Sequence, residues 1–160
     1  MTQAPDESAP EPPLLFVASS GGHLAQLIAL EPWYRDRARH WVSFDTPDAV
    51  SLLRGESVTW AHHPTTRNVP NLLRNLVLAA RIVRRRNAGA LLTTGAGVAV
   101  PFVLMAWLLR IPTVYIEVID RIDTPTLTAR LCRPLLSAML VQWEEQRRFY
   151  PGSTVVGKLI

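Results

Sequence analysis

Apolar residues along this chain fall into short blocks, set between polar joints and stretches with helical spacing. Leu14–Ala18 (LLFVA) is the first block, and an unbroken apolar run of that length is how a strand buried on both faces reads. Similar runs recur at His40–Phe44 (HWVSF), Ser57–Ala61 (SVTWA), Ala90–Thr93 (ALLT), Thr113–Glu117 (TVYIE), Ala138–Gln142 (AMLVQ) and Ser153–Val156 (STVV). Helical patterns lie between them. HLAQLIALEPW puts Leu24, Leu27, Ile28 and Leu30 on one face, and Thr46–Leu53 opens with Thr-Pro, a helix-start signal. Asn71–Arg86 predicts a long amphipathic helix with Leu72, Leu76, Ala79, Ala80 and Val83 inward and Arg74, Arg81 and Arg85 outward. An apolar helix from Val98, one over Leu127–Leu136 and a last one in WEEQRRFY complete the series. This alternation with short joints predicts an α/β chain: a single Rossmann-like domain over residues 14–160 with a mostly parallel sheet.

Composition narrows the class. Of 160 residues, 48% are hydrophobic and 19% charged, which suits one folded domain and excludes a disordered chain. Residues 1–13 differ: four prolines and the acids Asp6, Glu7 and Glu11, with no base, read as a disordered acidic tail and not as a signal peptide. The net charge is +4, and the acidic tail means that residues 14–160 carry +7. Lys158 is the only lysine among the 17 basic residues. Arginine's planar fork suits phosphate and carboxylate, although an arginine-rich codon bias explains the composition equally well. A basic surface can meet nucleic acid, anionic lipid or a phosphorylated ligand. No nucleic-acid-binding module is present, so no nucleic-acid partner is expected. Cys132 is the single cysteine, which rules out a disulfide scaffold and a multi-cysteine zinc site and points to a reducing compartment. The longest apolar run, Val98 to Leu109, has 12 residues, short of the ~20 that span a bilayer. It reads as a buried helix, with interfacial membrane contact as the alternative.

In an open parallel sheet, ligands bind where loops leave the carboxyl ends of the strands. Four such loops carry unusual residues. Ser19-Ser20-Gly21-Gly22-His23 joins the first strand to a helix; its glycines allow positive φ and close backbone approach, and His23 suits phosphate binding or base chemistry. The other reading is a tight turn with a capping histidine. The three-glycine dinucleotide fingerprint is absent. Thr94-Gly95-Ala96-Gly97 repeats the device after the fourth strand, and the pair suggests one diphosphate-sized pocket. Glu117 ends an apolar strand, with Asp120, Arg121 and Asp123 just after it. A base, a ribose-binding acid or a structural Glu117–Arg121 pair would each suit that position. His62-His63 lacks nearby carboxylates or thiolates, so no metal site is expected.

SSGGHLAQL, TTGAGVAVP, VYIEVIDR and VQWEEQ with YPGSTVVGKL, in that order, resemble the bacterial oligosaccharide-biosynthesis family of the PssD and CpsF type. They are also similar to the membrane-anchoring subunit of the eukaryotic transferase that adds the second N-acetylglucosamine to dolichol diphosphate. The resemblance covers residues 14–160. It implies the N-terminal half of a GT-B glycosyltransferase split into two chains. This half would supply the acceptor site and the membrane contact, while a partner chain holds the UDP-sugar, with no further cofactor. Through the likeness to the lipid II synthase loop, Ser20, Gly21, Gly22, His23, Gly95 and Gly97 would face a lipid-linked diphosphate. Glu117 and Arg121 match the family's Glu and Arg, and either Glu117 or His23 would act as the base. Gln142 and Trp143 match its Gln-Trp pair at a membrane or partner contact.

No N-terminal membrane helix is seen, so attachment to the cytoplasmic face of the plasma membrane would be peripheral, through Arg74, Arg81, Arg85 and Trp107. A scaffold that only activates the partner, and an unrelated nucleotide-binding domain, are the competing readings.

Overall fold

The computed structural model describes residues 11–160, so most of the expected acidic tail lies outside the described residues. The alternation read from the sequence produces seven strands: β1 (Leu14–Val17), β2 (Arg39–Phe44), β3 (Val58–Ala61), β4 (Ala90–Thr93), β5 (Thr113–Ile116), β6 (Ala138–Val141) and β7 (Thr154–Val155). They form one sheet in the order β3-β2-β1-β4-β5-β6-β7, and every neighbouring pair is parallel. The order reverses between β1 and β4, where Val17 lies beside Thr93. That reversal opens the crevice in which such sheets bind ligands.

Side chains alternate across the sheet. Leu15, Val17, Leu91 and Tyr115 pack on one face with α4 (Val69–Arg86), α5 (Ala99–Leu108) and α6 (Leu127–Cys132). Leu14, Phe16, Trp41, Leu92 and Ile116 pack on the other with α1 (Gly22–Ile28), α2 (Glu31–Tyr34) and α3 (Pro47–Leu52). On that second face Phe16 stacks on Trp41 with ring centroids 4.4 Å apart, and Tyr34 closes the cluster. Because both faces are covered, the strands need no polar alternation, which is why they read as unbroken apolar runs.

Three local expectations change. The predicted helix over HLAQLIALEPW divides at Ala29–Leu30, because Pro32 sits in the first turn of α2 and has no N–H to continue the ladder of α1. The Leu127–Leu136 helix stops at Cys132 and tightens into a 3₁₀ turn over Arg133–Leu135, where Pro134 removes another donor. WEEQRRFY forms a 3₁₀ turn over Glu144–Arg148 instead of an α-helix, with the Gln146 side chain bonded back to the backbone of its N-cap, Trp143. The domain also begins slightly before Leu14: the Pro13 carbonyl accepts from Gly89 N–H at 2.9 Å, and Glu11 pairs with Arg37 at 3.0 Å.

The inward face of α4 is a fourth difference. Asn71 and Asn75 are buried together with Ala79, Ile82 and Val83, while Leu72 is exposed. Asn75 donates to the His62 carbonyl and accepts from the His62 N–H, at 2.8 and 2.9 Å. Asn71 donates to the Pro64 carbonyl at 2.9 Å. The loop after β3 would otherwise bury unpaired backbone groups, so two amides join Leu76, Ala79, Ala80 and Val83 on the core side, and of the five residues expected there only Leu72 is exposed.

Candidate active site

The two glycine turns meet across the switch point. His23 Nδ1 lies 2.9 Å from the Thr94 carbonyl, and Thr94 Oγ1 donates to the His23 carbonyl at 2.8 Å. A carbonyl only accepts, so Nδ1 carries the proton and Nε2 is left with a lone pair. Burial lowers the pKa of His23 from its ordinary value; the Thr94 contact and Asp120 oppose that, and Arg121 adds to it. The ring is therefore neutral at pH 7, with a basic nitrogen beside the crevice. The charges of Asp120 and Arg121 reach it from the loop after β5.

The glycines divide into two kinds. Gly21 has φ +71°, and a Cβ there or at Gly22 would meet nothing within 4 Å. These two backbone positions thus border open space, as does the half-buried Ser20 beside them. Gly21 N–H donates to Asp48 at 2.9 Å, so α3 supplies a carboxylate at the turn. Gly95 is buried and adopts φ +98°, and any Cβ would collide with the Tyr115 hydroxyl. A Cβ at Gly97 would come within 2.8 Å of Thr65 Oγ1. The second turn is thus glycine-rich for packing, which corrects the expectation that Gly95 faces a ligand directly.

Glu117 is fully buried and never meets Arg121. Its carboxylate accepts from the Tyr150 hydroxyl, from Val118 N–H at 3.0 Å and from Thr126 Oγ1 at 3.4 Å. Burial raises its pKa, partly offset by those hydrogen bonds. The Glu117–Arg121 pair, one of the readings open from the sequence, is absent because the loop after β5 turns back at once: Arg121 N–H bonds the Val118 carbonyl, and the Arg121 side chain is exposed. Enclosed in this way, Glu117 braces the loop and has no open path to a ligand.

Gln142 is likewise enclosed, which corrects its expected place at a membrane or partner contact. Its Nε2 donates to Gln26 Oε1 and to the Glu117 carbonyl, and its Oε1 accepts from Leu159 N–H. Gln26 in turn accepts from Ile119 N–H and donates to the Gly22 carbonyl, and Gln146 donates to the Val118 and Arg121 carbonyls. Three buried amides thereby tie together the loops after β1, β5 and β6. Gln26, Gln146 and Tyr150 were not singled out from the sequence. The available signal was a glutamine inside the apolar face LAQLIAL, where a buried amide needs partners. Trp143 stays half-buried, donating to the Ile119 carbonyl at 2.8 Å under Lys158, whose Nζ lies 4.4 Å from the ring centroid.

The basic flank lies on α4. Arg74, Arg81 and Arg85 are exposed, and among the described residues none pairs with a carboxylate. Leu73 and Val77 are exposed between them. Trp107, half exposed, stands near Arg110 at the far end of α5, away from the crevice. Among the described residues no helix is long and apolar enough to cross a membrane, and no group of three or more His, Cys, Asp or Glu side chains is placed to hold a metal.

An all-parallel sheet with glycine turns on both sides of its switch point, and a neutral histidine held between them, defines a Rossmann-like domain. MurG of Acinetobacter baumannii shares it with a TM-score of 0.76 over 92% of this chain and 45% of that protein, at 18% identity. The chain belongs to the Alg14-like family of oligosaccharide biosynthesis proteins, whose model matches residues 48–159. The mouse UDP-N-acetylglucosamine transferase subunit ALG14 is 26% identical over 92% of this chain and 82% of its own length. A Synechococcus UDP-N-acetylglucosamine--N-acetylmuramyl-(pentapeptide) pyrophosphoryl-undecaprenol N-acetylglucosamine transferase is 26% identical over 95% of this chain. The chain spans less than half the length of the two bacterial proteins, 44% of the Synechococcus transferase and 45% of MurG.

Proposed function

We propose that this chain is the acceptor-side subunit of a two-chain inverting glycosyltransferase that moves a sugar from a UDP-sugar to a lipid-diphosphate-linked saccharide. A partner chain with the second GT-B domain binds the nucleotide sugar. The role is in bacterial polysaccharide or glycolipid assembly, as in the PssD and CpsF type. N-acetylglucosamine, the sugar named for both the mouse and the Synechococcus relatives, is the first donor to test. Family membership supports the subunit reading, and one observation carries the chemistry: His23 Nδ1 is committed to the Thr94 carbonyl at the switch point, which leaves the lone pair on Nε2.

In the proposed step the acceptor hydroxyl attacks the anomeric carbon of the donor. The carbon–oxygen bond to the UDP phosphate breaks, UDP leaves with the electron pair, and His23 Nε2 takes the hydroxyl proton. Attack opposite to the leaving group inverts the anomeric centre. Gly21, Gly22 and Ser20 line the open side of the crevice for the acceptor diphosphate, and Arg121 adds positive charge from the loop after β5. Glu117 is assigned a positioning part, holding that loop through Tyr150 and Thr126. Attachment to the cytoplasmic face of the membrane is through the arginines of α4.

The test is coexpression with a candidate chain that carries a GT-B donor domain, followed by transfer from UDP-N-acetylglucosamine to a prenyl-diphosphate-linked sugar. Turnover should require both chains. Robust turnover by either chain alone would overturn the split-enzyme reading. Full turnover by a folded complex with His23 replaced would favour the second reading, a recruiting scaffold, which the enclosure of Glu117 also suits.

A further inference from the structure

A concave apolar groove lies beside the crevice, and no role above uses it. Its walls come from three helices: Val69 and Leu72 in the first turn of α4, Gly97 and Val100 around the start of α5, and Leu127 and Leu131 of the short α6. Each of these helices follows a strand of the parallel sheet, so all three start at its carboxyl edge. The groove has a volume of about 650 Å³, within the ~300–1,000 Å³ range of small-molecule sites. Four of its apolar side chains are well exposed: Leu127 at 72%, Val69 at 63%, Leu131 at 53% and Leu72 at 41%. Leaving that much apolar surface together in a concavity is unfavourable in water unless something covers it.

We propose that this groove holds the first isoprenoid units of the acceptor's lipid tail, an inference that rests on the lipid-diphosphate reading above. Three observations choose this occupant. First, the groove continues the crevice. The turn 94–97 fixes His23 at its Thr94 end and borders the groove at its Gly97 end, so the groove begins within one turn of the residue proposed to meet the acceptor. Second, the charge pattern is that of an anionic amphiphile. The floor is apolar, and Arg67 at the rim has no carboxylate partner among the described residues. Third, its place separates it from a membrane-facing surface. Leu73 and Val77 are exposed on α4 outside the groove, Val77 in a smaller hollow with Arg74 and Arg81, so the groove is distinct from the arginine-bearing face proposed for the membrane.

The test titrates the chain with farnesyl diphosphate and, in parallel, with inorganic diphosphate, reading affinity by calorimetry, and measures sedimentation with anionic vesicles. Farnesyl diphosphate should bind at least tenfold more tightly than inorganic diphosphate. Leu127→Asp and Leu131→Asp should each remove most of that advantage, with melting temperature and vesicle binding close to wild type, and Leu131→Met should retain it. Equal affinity for the two probes in the wild type would overturn the proposal. So would folded Asp variants that keep the advantage, or variants that lose vesicle or partner binding and still hold farnesyl diphosphate. The titrations read binding alone, and a separate transfer assay on the assembled complex keeps the two proposals distinguishable. Groove-dependent binding without transfer in the assembled complex would sink the transferase reading alone. Transfer to a tail-less acceptor as efficient as to a prenylated one would sink the groove alone.

Discussion

The base role proposed for His23 rests on one hydrogen bond. With Nδ1–H fixed on Thr94, the lone pair sits on Nε2, and burial keeps the ring neutral. His23→Asn retains an N–H where Nδ1 was, so the Thr94 contact survives while the base is lost. The assembled transferase should then lose kcat by ~100-fold or more, the low end for lost acid–base catalysis, with little change in melting temperature. Glu117→Gln should do the reverse: melting temperature falls and activity follows only the folded fraction. Rate profiles of the two complexes against thermal melts will separate these outcomes. His40 offers a cleaner pH test. It is buried between Ser57 and Thr59 hydroxyls at 2.8 Å each, and desolvation lowers its pKa from 6.5 to about 4. The unfolded chain therefore takes up a proton that the folded chain refuses. Stability is full above pH 6.5 and declines as pH falls toward 4, by about 2 kcal/mol between pH 7 and pH 5. Urea melts at the two pH values should show that loss, and His40→Gln should remove most of it.

At the scale of elements, α4 is anchored by two amides beside the apolar face that a helical wheel predicts. Asn75→Ala would leave the N–H and carbonyl of His62 without partners at a buried joint. The expected cost is about 2 kcal/mol, visible as a fall of roughly 4–8 °C in melting temperature. Leu72→Ala, on the face that the pattern marks as core, should cost under about 0.5 kcal/mol because Leu72 is largely exposed. Calorimetry on the two variants distinguishes the observed helix orientation from the one the pattern predicts. The same logic extends to the amide network. Gln26, Gln142 and Gln146 connect three loops far apart in sequence, so the loop that carries Arg121 is held by groups from α1, from the residue after β6 and from the Glu144–Arg148 turn.

For the whole molecule, the proposed division of labour places a basic, apolar-studded α4 toward the membrane and the crevice toward a partner domain. Attraction between unpaired arginines and anionic lipid is screened by salt, over ~8 Å at physiological ionic strength. Binding to anionic vesicles should therefore weaken several-fold between low and high salt, and Arg74→Gln with Arg81→Gln should flatten that dependence. Vesicle sedimentation across a salt series checks it, and salt-independent binding would remove α4 electrostatics from the attachment.

The alternation of apolar runs determined the sheet, its parallel sense and most strand boundaries, because strands covered on both faces leave an unbroken apolar signature. The glycine turn before α1 and the candidacy of His23 were also legible, since positive φ and a switch-point crevice follow from local residues and strand order. What the sequence could not rank was partnership. Glu117 reads equally well as a base or a salt bridge until the fold brings Tyr150, from the end of the 3₁₀ turn, onto its carboxylate. Gly95 resembles Gly21 until Tyr115 fills the space of its missing side chain. Gln142 looks like a surface motif until Gln26, more than a hundred residues away, bonds to it. Each of these was decided by tertiary structure for one reason: a buried polar group takes the partner that the packing of remote elements supplies, and no local pattern encodes which one that is.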